Sequence, residues 1–145
     1  MPITIGALRE SAPGETRVSL VPEVVDKFIA AGARVVLEPG AGVRAQFPDA
    51  LYKKGEWLAN SAAVLSQADV VLTVAPLSLE QIGQLKPGAV LVGFLQAHAK
   101  HAEVKALRDR KVFAEVAIDS GGNARLTRLV KKEKPAPAAE PEDAP

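Results

Sequence analysis

Arg17, in the run Glu15-Thr16-Arg17-Val18, is the residue of this sequence best suited to binding chemistry. A guanidinium is a flat, permanently charged fork that can grip a carboxylate or a phosphate through two parallel hydrogen bonds. The same group can instead close on Glu10 or Glu15 as a structural clamp, and the residue types leave both readings open. His98 and His101 are the only histidines, spaced to share a face at a helix start, where a pair can hold a metal. No third ligand stands nearby and Lys100 brings positive charge, so the pair reads as exposed helix residues. Gly40-Ala41-Gly42-Val43-Arg44-Ala45 has the G-x-G-x-x-A spacing of a pyrophosphate loop. Such a loop must open directly into a helix whose amides face the phosphate. Phe47-Pro48 interrupts first, so a tight glycine turn is expected. Asp119-Ser120-Gly121-Gly122-Asn123 reads as a flexible turn or an anion-binding turn of backbone amides, with Arg125 and Arg128 as two cations beside it. No Ser-His-Asp order, catalytic carboxylate pair or P-loop lysine motif is present.

The elements that would position these residues alternate. Ile3 to Leu8 is a short apolar run suited to a buried strand. A helix starts at Pro22, pre-set for the first helical position, and stops at Gly32, with Val24, Val25, Phe28 and Ile29 on one stripe. Val21 is a poor N-cap. Strands are expected at 34–38, 69–74, 89–94 and 112–118. Helices are expected at 49–55, 62–68, 78–85 and 99–110, the last with Val104 and Leu107 inward. Trp57 and Leu58 should pack after the second helix. This alternation implies right-handed crossovers and a parallel sheet, hence a flavodoxin-like (Rossmann-like) three-layer α/β domain. Ligands of such sheets lie beyond the carboxyl ends of the strands, here the loops at 9–21, 39–48, 74–78, 94–99 and 119–128.

Composition narrows the classes. With 145 residues the chain suits one domain, 1–130, whose core needs no staples. Residues 131–145, KKEKPAPAAEPEDAP, contain no Val, Ile, Leu or aromatic residue and are expected to be a disordered tail. Lys and Arg number 18 against 17 Asp and Glu, a net charge of +1 that argues against a nucleic-acid partner. Cysteine is absent, which removes disulfides and thiolate sites and fits a reducing, cytoplasmic compartment. No stretch is long enough to span a bilayer and no secretory signal is read, so a soluble protein without direct membrane insertion is expected.

Several stretches in order resemble one family. Ile5-Gly6, Arg9-Glu10 and Glu15-Thr16-Arg17-Val18 ahead of Pro22 look like the opening of alanine dehydrogenase and of the NAD(H)-binding alpha subunit of proton-translocating nicotinamide nucleotide transhydrogenase. Val36 to Gly42 is similar to that family's second strand and glycine loop, Ala68 to Val74 before Pro76 to its third strand, and Gly88 to Phe94 to its fourth. Ala117-Ile118-Asp119-Ser120 and Arg125-Leu126-Thr127-Arg128 look like the transhydrogenase version of the next segment. The resemblance covers roughly 1–128. Val116 to Asn123 also resembles a stretch near the end of the family's nucleotide domain, but the collinear match puts strand and loop where they are expected.

The resemblance implies that Arg17 is the arginine of the family's first loop. Thr73 stands where these enzymes usually carry a lysine, which alanine dehydrogenase uses to hold its substrate. Gln96 stands about where alanine dehydrogenase has a substrate histidine, and His98 substitutes only if the loop slips. Asp119, Ser120, Arg125 and Arg128 are implied cofactor contacts or relics in a subunit contact, although Leu129 to Lys132 lacks the glutamine and aspartate that follow in transhydrogenases. The family's nucleotide-binding domain would begin near residue 130. These 145 residues are therefore expected to bind no cofactor alone, and to meet NAD(H) only when a partner supplies that domain. Partners are expected among transhydrogenase subunits or a separate nucleotide-binding domain, in a homo- or hetero-oligomer, with the protein cytoplasmic or peripheral to a membrane complex. Two other readings remain: a small-molecule module that grips a carboxylate or phosphate through Arg17, and a degenerate interaction protein.

Overall fold

The structure, a computed structural model, describes residues 1–116 and 125–127. The expected tail at 131–145 and the candidates Asp119, Ser120 and Arg128 lie outside the described residues. Seven strands form one sheet: β1 (Thr4–Ala7), β2 (Arg34–Leu37), β3 (Glu56–Trp57), β4 (Val70–Leu72), β5 (Val90–Gly93), β6 (Phe113–Val116) and β7 (Arg125–Thr127). Their order is β3-β2-β1-β4-β5-β6-β7, with every pair parallel except β6 and β7. Stripped of its two edge strands, this is the doubly wound order in which the chain reverses direction between β1 and β4. The α/β, flavodoxin-like expectation holds.

Four helices connect the strands: α1 (Pro22–Ala30), α2 (Ser61–Gln67), α3 (Leu79–Gln84) and α4 (His101–Asp109). Helix α1 starts at Pro22 behind an uncapped Val21. It ends where Gly32 takes a φ of +94°, donating to Ile29 O, with Ala33 donating to Phe28 O. The Asn60 side chain caps α2 by accepting from the Ala63 amide at 2.9 Å. Helix α3 is only six residues long and owes its definition to a reciprocal cap: Ser78 Oγ accepts from Gln81 N at 3.2 Å, and Gln81 Oε1 accepts from Ser78 N at 3.0 Å. Ser78→Ala is expected to lower the unfolding free energy by about 1 kcal/mol, read as a lower denaturant midpoint at unchanged slope; an unchanged midpoint would show that the cap is dispensable.

Two apolar clusters flank the sheet. On one face Val64, Leu65, Ile82, Leu85 and Leu107 of α2, α3 and α4 and their flanks pack on Val36, Val71, Leu91 and Ala114. On the other face α1 packs Val25 against Ile5, Val35 and Leu37, joined by Tyr52. Gly6 lets α2 approach β1 closely, because a Cβ there would stand 2.8 Å from both Ala68 Cβ and Val64 Cγ1. Among the described residues the helices divide three to one between the faces.

The structure corrects several sequence-based bounds. The helix expected at 49–55 is a single 3-10 turn at Asp49–Leu51, because Gly55 lies against Leu37 and the chain leaves at once to form β3. β3 itself is two residues long and is defined by pairing, Val36 with Glu56 and Leu37 with Trp57. β4 ends at Leu72 rather than Val74, since the Val74 amide turns to a side-chain acceptor, the Glu10 carboxylate. Arg125–Thr127, expected in a loop, is an antiparallel strand on β6.

Candidate functional site

A cleft of about 910 Å³ opens beyond the carboxyl ends of β1, β4 and β5, at the reversal of strand order. It lies where doubly wound sheets bind ligands. Its walls come from the β1–α1 loop, the β4–α3 loop and the start of the β5–α4 loop.

Glu10 anchors the cleft. It is buried, and its carboxylate accepts from Val74 N at 2.5 Å and from Ala75 N at 3.1 Å, 64 and 65 residues away in sequence. The β1–α1 loop is thereby tied to the β4–α3 loop. Burial raises the Glu10 pKa above its ordinary 4.5, opposed by the Val74 and Ala75 amides. Sequence reasoning placed Glu10 only as one possible partner of Arg17.

Arg17 pairs with the other candidate. Its Nε and Nη2 donate to Glu15 Oε1 and Oε2, both at 2.9 Å, and its backbone N donates to the same Oε1 at 2.9 Å. The hydrogen bonds from the Arg17 side chain and backbone pull the Glu15 pKa down to about 2. The guanidinium lies over the Phe94 ring, 5.5 Å from its centroid, at cation–π distance. Arg17 and Phe94 border both the main cleft and a smaller recess of about 400 Å³, which Ser19 and Thr73 also line. Ser19 Oγ donates to Leu72 O at 2.9 Å and fixes the loop behind Arg17.

Thr73 is buried, and among the described residues its Oγ1 has no hydrogen-bond partner. It presses on Gly93, where a Cβ would sit 2.5 Å from both Thr73 O and Oγ1. Gln96 lines the cleft from the third wall in a left-handed conformation, φ +49°. His98 is exposed and stands outside the cleft lining. Lys100, which by residue type reads as unhelpful charge beside the histidines, lines the cleft instead. Among the described residues no cluster of three His, Asp or Glu could hold a metal. Arg125 lies on β7, paired in register with Val116 at the far edge of the sheet.

The glycine run at 40–42 is a turn built for packing. Gly40 N donates to the Asp49 carboxylate at 3.1 and 3.2 Å, so this amide already serves an internal anion. A Cβ at Gly42 would collide with the Tyr52 hydroxyl and stand 2.6 Å from Phe47 O. The 3-10 turn that follows, Val43–Ala45, ends at Gln46 with φ +66° instead of continuing as a helix. These residues do not fit a dinucleotide, whose pyrophosphate needs free amides at the mouth of a helix.

The strand order and the position of the cleft define a Rossmann-like α/β domain. The sequence model described as the alanine dehydrogenase/PNT N-terminal domain matches residues 6–120. The chain is 43% identical over 113 residues to an NAD(P) transhydrogenase alpha subunit of Rhodospirillum rubrum, covering 73% of this chain and 29% of that one. It is 32% identical over 128 residues to alanine dehydrogenase of Bacillus subtilis strain 168, covering 87% and 33%. The solved transhydrogenase from Sinorhizobium meliloti superposes with a TM-score of 0.73 at 27% identity, over 78% of this chain and 34% of that one. An L-alanine dehydrogenase structure shares the fold, with a TM-score of 0.75 at 22% identity over 83% and 35%.

The chain belongs to the alanine dehydrogenase and NAD(P) transhydrogenase family, as its N-terminal domain. It spans less than a third of the length of the Rhodospirillum rubrum relative. Among the described residues no helix is long and apolar enough to cross a membrane.

Proposed function

We propose that this domain serves the NAD(H)-side alpha unit of a proton-translocating transhydrogenase and transfers no hydride by itself. The observation that carries this reading is the 43% identity to a protein named as a transhydrogenase alpha subunit. Hydride transfer needs a nicotinamide held in near-contact with its acceptor, and the turn at 40–45 has its first amide bound to Asp49. NAD(H) then enters only where a nucleotide-binding domain is supplied, by a partner chain or by further sequence, and the working unit is an oligomer at the cytoplasmic periphery of a membrane complex. Titration of the purified 145-residue chain with NADH is expected to give no saturable change in nucleotide fluorescence. Tight, stoichiometric binding would overturn the reading.

A second reading is favoured by Arg17 itself, an exposed guanidinium held over an aromatic ring at the cleft mouth. Here the cleft binds a small carboxylate or phosphate, with Arg17 as the gripping cation and Gln96 as a polar wall. Oxalate, 2-oxoacids or inorganic phosphate should raise the melting temperature of the wild-type chain. Arg17→Ala should weaken that binding at least about tenfold, the usual size of a lost charge-assisted hydrogen bond. Equal binding by the variant would remove Arg17 from the site.

A further inference from the structure

We infer that Glu15 is a positioning residue of the cleft: it holds one edge of the Arg17 guanidinium beside the Phe94 ring, so that the opposite edge is presented to an anionic ligand. The inference rests on the reading that Arg17 grips the ligand. A guanidinium has two edges able to form paired hydrogen bonds, one through Nε and an Nη nitrogen and one through the two Nη nitrogens. Glu15 takes the first edge completely, at 2.9 Å to Nε and 2.9 Å to Nη2. Among the described residues nothing hydrogen-bonds Nη1. The end-on fork of Nη1 and the second Nη2 proton is therefore open, and it matches the spacing of two oxygens of a carboxylate or phosphate.

The burial of the pair runs opposite to that of a presented carboxylate. The Glu15 side chain is 13% exposed and that of Arg17 64%, so the anion is the inner support and the cation the outer, presented group. Glu15 is further tied by the backbone N of Arg17, a bond made by the residue it orients. It cannot swing toward solvent without losing that bond. The ring of Phe94 lies 5.5 Å from the guanidinium carbon, within cation–π reach, and adds an attraction that keeps the charge at this place. Glu10 makes no hydrogen bond to Arg17 and meets it only through the longer-range attraction of opposite charges, while its two oxygens accept from the β4–α3 loop. The hydrogen bonds from Arg17 pull the Glu15 pKa down to about 2, so the carboxylate is ionised at neutral pH.

The alternative role for an acidic neighbour is to occupy the arginine and exclude ligand, and the two roles predict opposite results. The test uses the 145-residue chain, with oxalate and inorganic phosphate as probes, followed by NMR titration. Glu15→Ala is expected to weaken binding about five- to tenfold, with the melting temperature nearly unchanged. Glu15→Gln, which keeps one acceptor oxygen, should recover part of the loss. In an Arg17→Ala background, Glu15→Ala should cost nothing further. The Arg17 Nε–H resonance should be sharp in the wild type and averaged in Glu15→Ala, and it should shift on adding oxalate to the wild type, a ligand response that a merely structural pair would not give. Binding by Glu15→Ala that equals or exceeds the wild type, while Arg17→Ala still loses affinity, overturns the positioning role and leaves the cleft reading standing. Unchanged binding by Arg17→Ala, or no binding by the wild type, overturns the cleft reading and this inference with it.

Discussion

Replacing Glu10 by alanine is expected to remove about 2–3 kcal/mol of stability and to loosen the cleft. The magnitude follows from the donors left behind. Val74 N and Ala75 N each lose their acceptor, and an unpaired buried donor costs about 1–3 kcal/mol. The adjoining cleft lets water reach part of the space, which keeps the total near the lower end. Urea unfolding at neutral pH measures the loss, and amide exchange at 74–75 should accelerate selectively. Glu10→Gln retains one acceptor and should lose about half as much. A midpoint unchanged in Glu10→Ala would show that the two loops hold together without this carboxylate.

Glu10 also gives stability a definite pH dependence. Its folded pKa is raised above 4.5, chiefly by desolvation. The native state therefore holds this proton more tightly than the unfolded chain does. The contribution is complete below the unfolded value and is lost as the pH rises through the folded one. Glu15 has the opposite sign. Its lowered pKa makes its contribution, small because the pair with Arg17 is local and screened by solvent, present above the ordinary carboxylate value and lost as the pH falls toward about 2. In Glu10→Gln, the loss of stability between mildly acidic and neutral pH should become shallower.

Gly93→Ala is expected to be comparably damaging, by about 2–3 kcal/mol, for a steric reason. The new methyl would meet Thr73 O and Oγ1 at 2.5 Å. One of these atoms is backbone of the residue that directly follows β4, so relief requires the chain there to move away from β5 at the end that frames the cleft. Thr73→Val gives the contrast. It removes a buried hydroxyl that has no partner among the described residues and keeps the shape, and should be neutral or slightly stabilising. Thermal unfolding of both variants measures the pair of effects. A Gly93→Ala variant as stable as the wild type would show that the strands have slack here.

Much of the scaffold was legible because it is written in local signals. Pro22 and Gly32 bound α1, the helix expected from Ser78 is α3, and the apolar run from Val70 to Leu72 is strand β4. The loops beyond the carboxyl ends of the strands, and Arg17 within one of them, followed from the alternation. The remainder depends on contacts between distant residues. Glu10 meets Val74 across 64 positions, and no spacing rule links them. β3 exists only through its pairing with β2, and β7 through its pairing with β6. Phe47-Pro48 already marks Gly42 as part of a tight turn, but the Tyr52 hydroxyl that leaves no room for a side chain there comes from ten residues on. His98 and Lys100, two residues apart, could not be told apart by type; the turn preceding α4 sends Lys100 to the cleft and leaves His98 outside its lining.

Arg9, Arg17 and Lys100 share the cleft with Glu10, Glu15, Glu80 and Glu103. With cations and carboxylates so nearly balanced, the mouth projects little field beyond its rim. An anion of the kind proposed for this cleft would not be drawn in from afar, and ionic strength should scarcely alter how fast it arrives. Discrimination would then fall to the last few ångströms, to the shape of the fork rather than the sign of the surroundings.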